Sequence, residues 1–578
     1  MEELDHDDMD GGAPLHETGM EESVGQPSAS TPQGGPINTY PPLAFDDQPP
    51  AEPLELQSSA ESGDEDNPDD MEEFDNHPIF LTNANPGVLA PDNPNSLDSL
   101  RFWRYCKGRG QLKNIAGTPR NELSLNHVVR PRVEYADLKG DEYDFQGINW
   151  SLLGVRRSLA RQARLQMFQN YTNLAGSDKW GPSRNLAVAY QLPSRGEDFF
   201  RFRSMDLRRD VDLRHFQLRN ILGVDSRTRV FYPGPNSTIR ELDPTTGRVT
   251  TAMEFPEEDP EEATISTLTA EEGVLMTGGF NGSYRFRSIE TEDRKFYSKG
   301  RLTVHPGGIT NHVQVSSTRN SSALHAAFAS NDQWFRTVDL TTNRVVSARS
   351  SDHAVNCSRL SPDKRLRVMV GDTVDVHIAD AETGETLQQL GGHRDFGFAC
   401  DWAPDGWTVA TGNQDKTVRI WDARKWKNSK GESLNVAVLW SEMAGVRSLR
   451  FSPLGSGKRV LIGAEEADII NIFDAQTFNS KQTVDVFGEL AGVSFTAGGH
   501  EVLALSSDPV RGGVLCLERC DHGSEERFDH KPRSDSDDRY SPGYDWLRSR
   551  QEVLDHPGTQ VTLTEKYRQA AMAEDWFF

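Results

Sequence analysis

Between residues 199 and 520 the chain is a run of short apolar stretches, most of them roughly four to eight residues long, broken by Gly, Pro, Asp and Asn. Stretches of this kind read as strands and the breaks as turns. They recur in groups. LRNILGV, TRVFYPG and TIRELD fill residues 218–243, and ISTLTA, VLMTGGFNG and SYRFRSI fill residues 265–289. HVQVSS, LHAAFASND and WFRTVDL repeat the form within residues 310–348. The first strands fall near residues 220, 265, 313, 355, 398, 446 and 492, at intervals of 45, 48, 42, 43, 48 and 46. A steady interval of this size marks a repeat protein, in which no unit can bury its own faces and each packs on its neighbours. Seven units of an all-β fold are therefore expected. A different rhythm precedes them. Across residues 150–174 the apolar positions Leu152, Val155, Leu159, Ala163, Met167, Tyr171 and Leu174 step by three or four, the face of an amphipathic helix.

One unit carries more than rhythm. Residues 392–422 read GHRDFGFACDWAPDGWTVATGNQDKTVRIWD, opening on Gly392-His393 and closing on Trp421-Asp422. This segment resembles a WD40 repeat, and the resemblance implies a seven-bladed WD40 β-propeller with four strands per blade. The last unit, residues 493–518, shows only three strands. An open ring would leave unpaired edges, so a segment from elsewhere should supply the missing outer strand. FFRFRSMDL at residues 199–207 alternates and immediately precedes the first blade, which makes it the expected closing strand, with residues 560–563 second. The organisation predicted is a disordered acidic tail over 1–100, a basic helical or extended arm over 101–198, the propeller over 199–520 and a mostly disordered polar tail over 521–578.

Charge changes the picture at the ends. The formal charge is −26, but residues 1–100 hold 24 Asp and Glu and no Lys or Arg, leaving 64 acids against 62 bases in the rest. Low hydrophobicity with charge of one sign cannot offset the entropy of ordering, so this tail is expected to be solvated. Residues 101–164 hold 13 bases against 6 acids. That surplus would suit an anionic partner, yet the aromatic interleaving of a single-strand reader is absent. The favoured expectation is a helix docked on the propeller with Arg156, Arg157, Arg161 and Arg164 beside acids, and nucleic acid is not expected as a partner. No basic-plus-apolar leader and no membrane-length apolar window occur in the sequence. The five cysteines are scattered and odd in number, which suits a reducing compartment, cytoplasmic or nuclear rather than secreted.

Motifs for catalysis are missing. Gly455-Ser456-Gly457-Lys458 lacks the flanking residues of a phosphate loop, and Cys516, Cys520 and His522 lack the fourth ligand of structural zinc. No enzyme, metal or cofactor is expected. His393, Thr411, Asp415 and Trp421 stand where the WD40 resemblance places a hydrogen-bonded tetrad: Asp415 would accept from the imidazole, and Thr411 would join His393 to the indole N–H. A triad-like catalytic reading needs an exposed nucleophile, whereas Thr411 lies mid-strand.

The expected function is a protein–protein interaction scaffold. Arg394 and Phe396 beside His393, and Phe280 and Asn281 in a Gly-Gly-Phe-Asn-Gly turn, are candidate contacts on the propeller's top face. VATGNQDKTVRIWDAR at residues 409–424 also resembles the W-D-x-R box of substrate receptors of cullin-4 ubiquitin ligases, which would direct Arg424 toward the ligase adaptor. A chromatin or histone partner, met by the acidic tail or by the top face, is a third reading. Finally, QGINW, RLQMFQNYTNL, HFQLRNIL, ATGNQDKTVRIWDAR and DVFGELAGVSF together resemble a fungal and plant family of WD40 proteins with no established activity. That resemblance implies the fold and a non-enzymatic role, and no partner.

Overall fold

The computed structural model describes residues 130–520 apart from 152–155, 169, 180–189, 192–194, 197–198, 216, 257–263 and 497, together with Gln560 and Val561. The acidic tail 1–100, the basic stretch before residue 130, and the C-terminal tail other than those two residues lie outside the described residues.

The strands assemble as seven blades. Blades one to five, residues 223–254, 265–301, 310–350, 355–390 and 397–440, each contain a four-stranded antiparallel meander. Blade six follows the same plan, but its outer strand does not stop. Ser480–Phe495 continues without a break and becomes the inner strand of blade seven, so the two blades form one nine-stranded sheet. The run bends at Gly488, whose φ of 125° belongs to glycine, and an added Cβ would come within 2.6 Å of the Asp508 Cβ.

Blade seven supplies its own inner strand, Glu501–Ser506 and Gly513–Arg519; the fourth strand arrives from the other end of the chain. Phe200–Leu207 pairs antiparallel with Gly513–Arg519, from Gly513 opposite Leu207 to Arg519 opposite Phe200. Its alternation explains the fit. Phe200, Phe202 and Met205 are buried in a cluster with Val493, Val502, Leu515 and Leu517, while Arg201 faces out and pairs with Glu518 at 2.8 Å. Residues 560–561, the second candidate, pair instead with Val438 on the outer edge of blade five.

The blades are also joined around the axis. The inner strands of blades two to seven each carry a β-bulge near their start. In three of them the bulged side chain reaches the next blade. Ser266 donates to the Thr310 carbonyl at 2.6 Å, Asn311 to the Val355 carbonyl at 3.0 Å, and Asn356 to the Gly397 carbonyl at 3.1 Å. At the next step the Arg447 guanidinium lies 4.0 Å from the Phe398 ring centroid. A bulge re-aims a side chain, and here it turns each one along the ring.

The helix of the arm spans Arg157–Met167, eleven residues and shorter than the periodic stretch 150–174. Arg156 and Phe168 are both extended, and Asp141 accepts from the Arg157 backbone N–H at 3.3 Å, serving one of the orphan donors of the first turn. Among the described residues no helix is long and apolar enough to cross a membrane.

If the Phe200–Leu207 pairing holds the ring shut, Phe202→Ala should lower stability by about 3–5 kcal/mol in urea unfolding, the cost of emptying a buried aromatic site. A loss below about 1 kcal/mol would show that the ring does not rest on this strand.

Candidate interaction site

The tetrad residues meet inside blade five. His393 Nε2 lies 2.9 Å from the Thr411 hydroxyl, and the Trp421 indole N–H donates to the same hydroxyl at 2.9 Å. His393 Nδ1 lies 3.2 Å from Asp415 Oδ2. Asp415 is satisfied further by the Thr417 hydroxyl at 2.7 Å, the Thr417 N–H at 3.0 Å and the Arg394 N–H at 2.8 Å. All four side chains are buried. Burial holds the His393 imidazole below its usual range, outweighing the pull of Asp415. For Asp415 burial works upward, but His393 and Thr417 outweigh it and keep the carboxyl below its usual range. The neutral imidazole then donates from Nδ1 to Asp415 and accepts from Thr411 at Nε2. With Thr411 buried between two partners, its hydroxyl has no approach to a substrate.

Residues 144–177 of the arm run across blades seven, six and five, and polar side chains hold them there. Asp144 organises the start. Its Oδ1 accepts from the backbone N–H of Gln146 at 2.9 Å and of Ile148 at 2.8 Å, and its Oδ2 accepts from the Trp150 indole at 2.7 Å and from Arg157 at 3.2 Å. Gln146 imitates a strand: its amide donates to the Phe487 carbonyl at 2.8 Å and accepts from the Phe487 N–H at 2.8 Å. Arg161 pairs with Asp485 at 2.8 Å and Arg164 with Asp468 at 2.6 Å, and all three helix arginines, Arg157 included, are buried. Leu165 and Phe168 pack on Met443, Ala467 and Ile469. Burial pushes the Asp485 carboxyl up to about 6 even with Arg161 and Arg157 drawing it down, a measure of the desolvation cost of this pair.

Farther along, Asn170 and Gln414 exchange hydrogen bonds at 3.0 and 3.2 Å, and Asn170 accepts from the Gly445 N–H at 3.0 Å. Asp395 then receives the Asn173 N–H and side chain, each at 3.0 Å, and the Ser177 hydroxyl at 2.5 Å. Residue spacing alone does not single out Asp144, Gln146, Asp395, Asp468 or Asp485. The only advance signal was the clustering of QGINW, QNYTNL, NQD and DVFGEL as shared motifs. The structure brings all four into one junction.

The candidate contact residues stand apart. Phe280 lies against His215, with ring centroids 5.9 Å apart, and Asn281 accepts from the Ser283 N–H within its own turn at 3.2 Å. Arg394 and Phe396 are half-buried and flank Asp395, where the arm docks. Arg424 is engaged by its own blade: Asp422 receives its Nε at 3.0 Å and its Nη2 at 2.9 Å, and the guanidinium lies 5.1 Å from the Trp407 ring centroid.

Two measurements check this geometry. His393→Ala should cost about 1–3 kcal/mol, because it strands buried partners. With the folded imidazole below its unfolded value, the unfolded chain binds the proton more readily, so this contribution is intact above the ordinary histidine range and is lost as pH falls through it. The acid limb of thermal stability should therefore be shallower in His393→Ala, and an unchanged limb would contradict the assignment. In the arm, Arg161→Ala should destabilise by about 3–5 kcal/mol, while Arg161→Met with Asp485→Leu should recover most of that loss. Equal losses in the single and double variants would show that the pair is not what the arm depends on.

No family model matches the chain. Among curated proteins it is similar to the serine-threonine kinase receptor-associated protein of Dictyostelium discoideum, 36% identical over 67 residues, 12% of this chain and 23% of that one. It is 25% identical over 203 residues to the ribosome biogenesis protein YTM1 of Pyricularia oryzae, 33% of this chain and 41% of that protein. WD repeat-containing protein 1 of Gallus gallus is 39% identical over 77 residues, 12% and 13% of the two chains. The chain thus spans less than half the length of each of these relatives. A chain of a solved mitotic checkpoint complex aligns with a TM-score of 0.43 and 15% identity, covering 61% of this chain and 97% of its own. The seven blades and the relatives named for the WD repeat lead to one conclusion: this chain is a WD40-repeat β-propeller protein.

Proposed function

We propose that the chain is a non-catalytic protein–protein interaction scaffold whose binding surface is the rim of blades two to four. The distribution of exposed large apolar side chains carries this reading. Of the ten exposed large apolar side chains among the described residues, six, Phe296, Val304, Trp334, Val345, Val346 and Leu387, lie on or beside these three blades. Blades five, six and seven, in contrast, have strands of the same chain on their outer edges: Gln560–Val561 and Tyr190–Gln191 on five, Arg195–Gly196 on six, Arg132–Glu134 on seven. Scattered single apolar residues need no explanation, but Val345 and Val346 are neighbours on the outer strand Arg344–Ser350, in which every residue but Ser347 is exposed. An open edge of this kind accepts an added strand from a partner. Arg394, Phe396, Phe280 and Asn281 are the secondary candidates, on the face the arm partly occupies.

The names of the relatives supply a direction but not a partner. Ribosome biogenesis is said of the relative matched over 203 residues, and a nuclear or cytoplasmic assembly role for this chain would follow from that similarity. The ubiquitin-ligase receptor reading rests on Arg424, which Asp422 and Trp407 already engage. The chromatin reading rests on the tail 1–100, outside the described residues.

Affinity capture of the full chain against a Val345→Asp, Val346→Asp variant and against Arg424→Ala tests these readings. The rim variant should lose bound proteins that Arg424→Ala keeps. An unchanged set of proteins on the rim variant refutes the proposed surface, and selective loss of a ligase adaptor with Arg424→Ala would install the receptor reading in its place.

A further inference from the structure

We infer that the acidic-aromatic segment EDWFF, residues 574–578, docks in the groove between blades two and three. The groove holds about 660 Å³, within the range of sites that bury a side-chain cluster. Phe286, Tyr297, Leu324 and Leu340 line it, and Phe296 stands 69% exposed at its rim. Exposure of a large aromatic beside an apolar hollow is costly unless something covers it.

The charges around the groove select the occupant. Arg287 in the lining is buried, yet it donates only to carbonyls, Nη1 to Asp293 O at 3.0 Å and Nη2 to Thr291 O at 2.6 Å, and its Nε has no partner. Lys295, Lys299 and Arg344 are exposed nearby, and none has an ion pair among the described residues. The carboxylates of the same rim are oriented by their own turns: Asp293 accepts from the Lys295 N–H at 2.9 Å, and Asp339 from the Thr341 N–H at 2.8 Å and the Thr342 hydroxyl at 2.9 Å. Glu292 is the remaining acid on that loop. An apolar hollow with the buried Arg287 guanidinium in its lining and Lys295, Lys299 and Arg344 at its edge fits aromatic side chains adjoining carboxylates.

The chain carries such a segment in Glu574, Asp575, Trp576, Phe577 and Phe578. It can also reach. Val561 is placed on the edge of blade five, and the 17 residues from there to Phe578 extend to about 55–60 Å, comparable to the width of a domain of this size. The groove borders the partner surface proposed above and shares Phe296 with it; Val345→Asp with Val346→Asp tests that surface, whereas peptide binding tests the groove, so the two readings fail separately.

The test uses the full chain throughout. A labelled peptide of residues 566–578 is titrated against a full-length variant carrying Trp576→Ala, Phe577→Ala and Phe578→Ala, and against wild type. The variant should bind the peptide at least about tenfold more tightly than wild type, whose own segment competes at high effective concentration. Adding Phe296→Glu, or Lys299→Glu with Arg344→Glu, should weaken that binding by about tenfold or more. These positions are exposed, and unchanged thermal unfolding confirms that the variants fold. Hydrogen exchange on residues 286–301 and 321–344 should be slower in wild type than in the triple variant. Dimers of wild type that are lost in the triple variant would mean that the segment reaches the groove of a second copy, and the contact stands. No peptide binding, or binding indifferent to the groove substitutions, overturns the inference.

Discussion

A ring of sheets is stable only if its last edge finds its first, and in this chain that meeting is the ladder between Phe200–Leu207 and Gly513–Arg519. The two strands lie roughly three hundred residues apart in sequence, yet loop-closure entropy grows only with the logarithm of separation, so the distance costs little more than a shorter one would. Arginine and phenylalanine alternate along the closing strand, as a strand with one dry face requires. Every other inter-blade contact presupposes this one. Without it, blade seven would present an unpaired hydrophobic edge and the packing between blades seven and one would lose its reference.

Around that closure the molecule adds two kinds of polar fastening with different energetics. The bulge residues Ser266, Asn311 and Asn356 are neutral donors to neighbouring carbonyls, each worth about 1 kcal/mol net, and they fix the spacing of the inner strands. The arm uses charge. Its pairs Arg157–Asp144, Arg161–Asp485 and Arg164–Asp468 are buried, where desolvation consumes much of the Coulomb gain. Such pairs contribute more to placement than to net stability: a shift of one helical turn would carry Asp144 along but take Arg161 and Arg164 from Asp485 and Asp468, and the Arg157 Nη2 from the Asp485 carbonyl, 2.7 Å away. The arm is therefore held in one register across blades seven, six and five.

How much of this was legible in the sequence divides along the same line. The blades were readable because strand alternation is local, repeats seven times, and recurs at intervals of 42 to 48 residues. The closing strand was readable because FFRFRSMDL alternates and blade seven lacked a partner. The helix was found but drawn too long, since apolar spacing continues through Tyr171 and Leu174 after the backbone has turned extended at Phe168. The junction was not readable. Gln146 and Phe487 are 341 residues apart, Arg161 and Asp485 are 324 apart, and side-chain pairing at that separation leaves no periodic trace. Arg161 and Arg164 look like a surface for anions in the sequence because their carboxylates, Asp485 and Asp468, sit far along the chain.

One blade of the seven has both Gly-His and Trp-Asp, and it is the blade that the end of the arm meets. In blade five the tetrad ties the entry loop at His393 to the turn at Asp415 and to the third strand at Trp421. The adjoining residues are the ones that grip the arm: Asp395, two positions after His393, receives Asn173 and Ser177, and Gln414, one before Asp415, exchanges bonds with Asn170. Asn413 closes the unit by donating to the Asp395 carbonyl at 2.7 Å. A loop left to fluctuate could not hold a carboxylate in register with three donors from a distant segment, because each bond must exceed the entropy of ordering the groups that make it. Blade four reads Ala379-Asp380 and blade six Phe473-Asp474 at the corresponding place, and blade six meets the arm through Gly445 and Asp468 without the tetrad. In blade five the full signature braces the loop and turn from which Asp395 and Gln414 reach the end of the arm.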